Sequence, residues 1–301
     1  MKKTLLAFAT AIALMFAAPM VATATTSINN NNSSSNNSKN SNNNNSNKNS
    51  NNNNSNSNKN NKNSNNNNSN SNKNNKNNNS NKNNNKKAPA LVCQRGTPPP
   101  SNQYPGVPVV ATSFESGTLE GFIASTSRTG TASVTSDQHH SGGCAAFLHV
   151  TDDSGSVANM SATLPGGSSG AYADGWFNIT TAGNVGNNVP YFRFFNGGIR
   201  VADVFRDNGN GQLWLRVASP SGTYGYTNLG LAVQLGSWHK VVMHVVANGA
   251  ASTVEVWFDA RLLYSNQVST GFTTLTRVQL GAEHPRQVGD SYFDDVIIKA
   301  S

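Results

Sequence analysis

Only two cysteines, Cys93 and Cys144, occur among the 301 residues, which excludes a scaffold held together by many disulfides. After the N-terminal segment no apolar run approaches the ~18 residues that a membrane-crossing helix requires. Charged residues are sparse, at 12%, and their apparent balance misleads. The net charge of +8 and pI near 9.6 would suggest a nucleic-acid or membrane-surface binder. Yet residues 29–87 consist of 37 Asn, 13 Ser and 9 Lys and nothing else, so the tract alone carries +9. Residues 88–301 hold 11 basic and 14 acidic side chains, so the part able to fold is mildly acidic. No specific nucleic-acid partner is expected, and weak polyanion contacts are assigned to the tail.

Lys2 and Lys3, an apolar run over residues 5–18 and the small-x-small sequence Ala22-Thr23-Ala24 make residues 1–24 a secretion signal cleaved near Ala24. The protein is expected outside the cell, where disulfides persist. No cysteine follows the apolar run to accept a lipid and no apolar tail closes the chain, so release or non-covalent retention is expected. Residues 25–92 read as a disordered tether. Its Asn/Ser/Lys tract has no apolar side chain to offset the entropy of ordering it, and its flexible span is roughly 40 to 45 Å. The unit NSNNNNSNSNKNNK at 49–62 repeats identically at 63–76. A passive spacer, a cationic stalk on anionic polymers and self-association through Asn ladders are all open. Diluted lysines without aromatic partners favour the spacer. Residues 93–108 form a neck containing Pro98, Pro99, Pro100, Pro105 and Pro108, expected to be extended and semi-rigid. Cys93 opens the neck and Cys144 lies in the folded region. A bridge between them, in preference to two free thiols, would close a loop of about 50 residues and contribute ~4 kcal/mol.

Residues 109–301 read as all-β. Runs such as CAAFLHV (144–150), YFRFF (191–195), QLWLRV (212–217), WHKVVMHVVA (238–247), TVEVWF (253–258) and YFDDVII (292–298) alternate or are rich in β-branched and aromatic residues, with glycines between them. About 13 to 15 strands are expected, enough for one two-sheet antiparallel sandwich with a substantial core.

Five segments carry a resemblance. FESGTLEGF (114–122), HSGG (140–143), GSWHKV (236–241), VEVWFD (254–259) and FDDV (293–296) resemble, in order, segments of secreted bacterial jelly-roll modules. The domain is similar to the concanavalin A-like lectin/glucanase superfamily, in particular its laminin-G-like members. Phe122 replaces the usual Trp, and Ala260 stands where relatives have Gly. A two-residue turn with positive φ would be strained at Ala260, so another turn type is expected.

That superfamily contains binders, glucanases and lyases, so side chains must decide. The ExDxxE of its glucanases is absent. Glu255 and Asp259 have i, i+4 spacing, but Asp259 lies where the strand turns. A lyase needs a Tyr or His base beside a group neutralising a uronate; Tyr191, Arg193 and His244 are candidates, without the paired signatures of alginate-type lyases. The chain therefore reads as non-catalytic. Alternation turns Tyr191, Arg193 and Phe195 to one side of their strand, and likewise Trp214 and Arg216, His244 with Lys240, and Glu255 with Trp257. Less cleanly, it exposes Asp203 and Phe205. Such a mixture of aromatic rings and charged groups suits stacking on sugars and hydrogen bonding to their hydroxyls. Alternation does not say whether these strands share a sheet.

The resemblance implies a structural Ca²⁺ where first and last strands meet, for which Glu115 and Asp295, with Asp294, are the candidate ligands; solvated turn or edge carboxylates are the alternative. Histidines lack zinc-ligand spacing. The resulting expectation is a secreted lectin-like module binding an extracellular polysaccharide or cell-surface glycan. A lyase or glucanase with an unrecognised site, and a matrix or adhesion protein contacting other proteins, remain as alternatives.

Overall fold

The computed structural model describes residues 90–301; the signal segment and the Asn-rich tract lie outside the described residues. These residues form two antiparallel sheets of fifteen strands, with no α-helix among them. The strands are β1 (Val107–Thr112), β2 (Ile123–Ser127), β3 (Thr131–Thr135), β4 (Ala145–Val150), β5 (Val157–Thr163), β6 (Gly170–Ala182), β7 (Val189–Asn196), β8 (Ile199–Arg206), β9 (Gln212–Ala218), β10 (Tyr224–Ala232), β11 (His239–Val246), β12 (Ser252–Phe258), β13 (Arg261–Val268), β14 (Arg277–Gly281) and β15 (Gly289–Ala300). Sheet I runs β13-β12-β11-β6-β15-β4-β3, with β1 also on β15. Sheet II runs β10-β9-β8-β7-β14-β5-β2. The long β15 pairs with β4 through Gly289 to Phe293 and with β1 through Val296 to Ala300, so two short strands lie end to end along it.

Inward side chains follow the alternation. Val241, Met243 and Val245 of β11, and Val254, Val256 and Phe258 of β12, are buried in the core. Phe177 of β6 contacts Phe293 of its own sheet and Phe192 and Tyr191 of sheet II edge-on, at centroid distances of 5.2, 4.8 and 5.1 Å. Such edge-to-face pairs add to the area they bury and tie the two layers together.

Two register shifts between β7 and β8 interrupt the pattern. Pro190 pairs with Phe205 and Arg193 with Asp203, so β7 has an extra residue where Pro190 lacks the N–H to continue the ladder. This bulge turns Tyr191, 1% exposed, into the core beside Phe192 and corrects its expected place on the outer face. One step on, Phe194 pairs with Ala202 and Phe195 with Arg200. The extra residue now lies in β8, Val201 joins Ala202 in the core, and Arg200 lies with Phe195.

The hairpin between β12 and β13 is a two-residue turn with φ of 48° at Asp259 and 64° at Ala260. The expected avoidance of a positive-φ turn is therefore corrected: the chain accepts it. Asp259 stabilises the turn's surroundings, accepting from the Lys240 N–H at 2.8 Å and lying 2.9 Å from His239 Nδ1.

The neck runs extended and is closed at its start by the Cys93–Cys144 disulfide, with a Cα–Cα distance of 5.0 Å. Glu115 is buried beneath the bridge and accepts from the backbone N–H groups of Gln94, Gly143 and Cys144. Gly142, at φ +61°, makes this possible, since a Cβ there would lie 2.1 Å from Glu115 Oε1.

Candidate functional site

The outer face of sheet II carries one continuous polar row. Strand pairing aligns Ser161 of β5, Gln279 of β14, Arg193 of β7, Asp203 of β8, Arg216 of β9 and Tyr226 of β10 as direct neighbours. The middle of the row, Gln279, Arg193 and Asp203, is buried, and the side chains that reach the surface are Arg216 and Tyr226 towards β10.

Towards the β10 end of the row Arg216 donates from Nε and Nη2 to the two oxygens of Asp203, each at 2.7 Å. Its guanidinium lies 5.6 Å from the Phe205 ring, 5.4 Å from Tyr224 and 6.0 Å from Tyr226. The bidentate pair and the rings fix its plane. Trp214 continues the aromatic surface, pairing with Phe205 on one side and Asn228 on the other.

Towards β14 the row is held by Glu283. Its Oε2 accepts from Arg200 Nη2 at 2.6 Å and from Arg193 Nη1 at 3.1 Å, and Arg193 Nη2 donates to the Gly281 carbonyl. Gln279 Nε2 donates to Asn159 Oδ1 at 2.9 Å, and Asn159 Nδ2 to the Ala282 carbonyl. Gln287 ties the two end loops together, accepting from the Glu283 and His284 N–H groups and donating to the Asn188 carbonyl. Next to this frame, Arg200, Asp203, Phe205, Arg216, Tyr226 and His284 border an open cavity of about 200 Å³.

Four guanidinium groups, of Arg193, Arg200, Arg216 and Arg277, meet two carboxylates, of Asp203 and Glu283, on this face. Burial lowers the Arg193 pKa to about 10, with Glu283 opposing, so the group stays cationic at neutral pH. Burial pushes Asp203 up to about 7, against the pull of Arg200 and Arg193. For Glu283 burial also acts upward, but Arg193 and Arg200 outweigh it and hold the carboxyl below its ordinary value. Several polar atoms of the face are buried without a partner: Arg193 Nε, Arg200 Nε, Arg277 Nε, Trp214 Nε1 and Gln279 Oε1. Buried donors and acceptors in folded proteins are nearly always satisfied, by protein or by ordered water, and these five have no protein partner.

The eight side chains read from the sequence as one binding set divide over three places. Arg193, Phe195, Trp214 and Arg216 lie on the outer face of sheet II. Phe195 is buried there under the Arg277 guanidinium at 4.0 Å. His244, Glu255 and Trp257 lie on the outer face of sheet I, with His244 Nδ1 2.8 Å from Glu255 Oε2. Tyr191 is in the core. The lyase trio Tyr191, Arg193 and His244 therefore never meets, because its members belong to the core and to opposite faces. Alternation missed Arg200, Gln279, Asn159 and Glu283 at this site, as well as Tyr224 and Tyr226. The two tyrosines carried a readable signal, i and i+2 spacing on one strand.

The proposed cation ligands do not converge either. Glu115 is occupied by three N–H donors, whose positive ends oppose a cation. Asp294 accepts from the His140, Ser141 and Asp295 N–H groups, while Asp295 meets His140 Nδ1 and the Ser141 hydroxyl. Among the described residues one trio of metal-capable side chains lies within 4.8 Å, Cys93, Glu115 and Cys144, and both its sulfurs are in the disulfide. Ca²⁺, which wants six to eight oxygens, does not fit this donor set.

No family model and no curated protein sequence matches the chain. Among solved structures it is similar to an endo-β-1,4-glucuronan lyase from the fungus Trichoderma reesei, at 15% identity over 62% of this chain and 93% of the other, with a TM-score of 0.49. It is likewise similar to the cellulose-induced protein Cip1, at 17% identity over 63% and 96% with a TM-score of 0.49. For an alginate lyase from Aplysia kurodai the values are 12%, 56%, 87% and 0.43. These likenesses concern the two-sheet architecture alone.

Proposed function

We propose that this is a secreted, non-catalytic saccharide-binding protein of the concanavalin A-like type, whose ligand lies on the outer face of sheet II. The observation that carries the reading is the open cavity of about 200 Å³ bordered by Arg200, Phe205, Arg216, Tyr226 and His284, backed by the buried row of Gln279, Arg193 and Asp203 across adjacent strands. Phe205, Trp214, Tyr224 and Tyr226 offer ring faces, and the guanidinium excess favours saccharides bearing carboxylates. The charge bias is local, since residues 88–301 as a whole are net acidic. The tether's lysines contribute a separate, salt-screened attraction to polyanions of any kind.

The test is titration of the full chain with acidic and neutral polysaccharides. Tyr226→Ala and Trp214→Ala are each expected to weaken binding about tenfold, equivalent to ~1.4 kcal/mol. Equal binding by wild type and both sheet II variants refutes the site. A chain starting at residue 88 keeps the saccharide affinity and loses low-salt binding to DNA. Release of unsaturated uronate during the titration would overturn the non-catalytic reading.

A further inference from the structure

The neck does not simply space the sandwich from the tether; it lies on the outer face of sheet I. The Tyr104 ring stacks on Tyr172 of β6 at 4.8 Å and 9°, with Trp257 of β12 at 6.3 Å and 38°. Tyr172 is also stacked on His244 at 3.8 Å and 2°. Asn102 Nδ2 donates to Asp174 Oδ2 at 3.1 Å. Asp174 is 1% exposed, and its Oδ1 has Lys240 Nζ at 3.3 Å as an ion pair but no hydrogen bond. Lys299 Nζ donates to the carbonyls of Asn102 and Tyr104 at 2.9 and 2.8 Å.

Beneath the neck, then, are two aromatic rings at an angle, a buried carboxylate ion-paired with Lys240, and Lys299. A ring from the chain occupies the aromatic cradle, and an amide occupies the carboxylate. That is the chemistry of a saccharide site, a ring face for stacking and a carboxylate for hydroxyl groups. Between its two ends the neck takes part in no strand pairing. Its ends are fixed by the disulfide at Cys93 and by β1 from Val107, while Arg95, Gly96, Thr97 and Pro99 border a space of about 540 Å³ over the loop that follows β1. Displacing residues 97–105 breaks the contacts of Asn102 and Tyr104 and leaves every strand pairing in place.

We propose that the outer face of sheet I is a second saccharide site, masked in cis by Asn102 and Tyr104, and that ligand competes with the neck for it. A tethered occupant lowers the apparent affinity of any competitor by the fraction of time the site is open. The inference stands apart from the sheet II reading and is tested without it, in chains carrying Trp214→Ala and Tyr226→Ala. Cellohexaose, xylohexaose and hexagalacturonate are titrated calorimetrically into that chain with and without Asn102→Ala and Tyr104→Ala. Unmasking is expected to raise the association constant for at least one hexasaccharide tenfold or more, and Trp257→Ala to abolish the gain. No gain with any of the three, or a gain that survives Trp257→Ala, overturns the proposal. In the chain with its native neck, the bound hexasaccharide accelerates hydrogen exchange at neck residues 97–104; unchanged exchange at the highest ligand concentration also overturns it.

Discussion

The Asp259-Ala260 turn shows how a single residue sets local strain. A two-residue hairpin matches the strand twist only with both central residues at positive φ, where Asn and Gly are at home. Alanine in the left-handed region costs roughly 1 to 2 kcal/mol, partly offset by the greater entropy that glycine loses on folding. Ala260→Gly is therefore expected to stabilise the protein by about 0.5 to 1 kcal/mol and raise its Tm by roughly 2 to 3 °C. Differential scanning calorimetry showing a lower Tm would mean that the hairpin does not hold this geometry. The sequence marked the anomaly correctly, since Ala260 stands at an unfavourable position. It did not reveal that Asp259, bound to the Lys240 N–H and to His239, gives the turn enough support to tolerate it.

At the level of strands, the alternation of β11, β12 and β9 was legible because each residue there faces the side opposite its neighbours, as Val254, Glu255 and Val256 do. Two properties were not. Which sheet a strand joins depends on pairings such as Arg193 with Gln279, 86 positions apart, and no local pattern encodes them. That is why Trp214 and Trp257 read as companions and lie on opposite faces. A bulge moves one residue across the sheet, which is how Tyr191 entered the core and Arg200 left it. Pro190 was the available warning. The motif residues had a structural use instead of the implied metal: Glu115, Gly142 and Cys144 form a knot with the neck. Glu115→Ala would orphan the buried N–H groups of Gly143 and Cys144, each worth about 1 to 3 kcal/mol, and is expected to lower stability by about 2 to 3 kcal/mol in urea unfolding. EDTA is expected to leave the Tm of the wild type unchanged. A large EDTA effect, with Glu115→Ala harmless, would restore the cation site.

For the whole molecule the consequential charges are the buried ones. Asp203 and Asp294 sit at opposite outer faces, and burial raises both to about 7; hydrogen bonds from the Ser141 and His140 N–H groups to Asp294 oppose but do not cancel the rise. In the unfolded chain both carboxyls return to an ordinary value near 3.9. Between about pH 4 and pH 7 the folded protein therefore holds protons that the unfolded chain has released, so stability falls as pH rises through that window. Each group contributes at most about 1.4 kcal/mol per pH unit. Glu283 has the opposite sign. Its depressed pKa adds stability that is present above the ordinary glutamate value and is lost as pH falls through the lowered one. The two trends place maximum stability at or below about pH 4, where the aspartate window opens and Glu283 begins to lose its contribution. Urea midpoints are expected to be higher at pH 5 than at pH 8, and Asp294→Asn is expected to flatten the decline by removing one of the two titrating groups. A midpoint that rises from pH 5 to pH 8 would show that Asp203 and Asp294 are ionised throughout, with the 2.7 Å bonds from Arg216 outweighing the burial of Asp203.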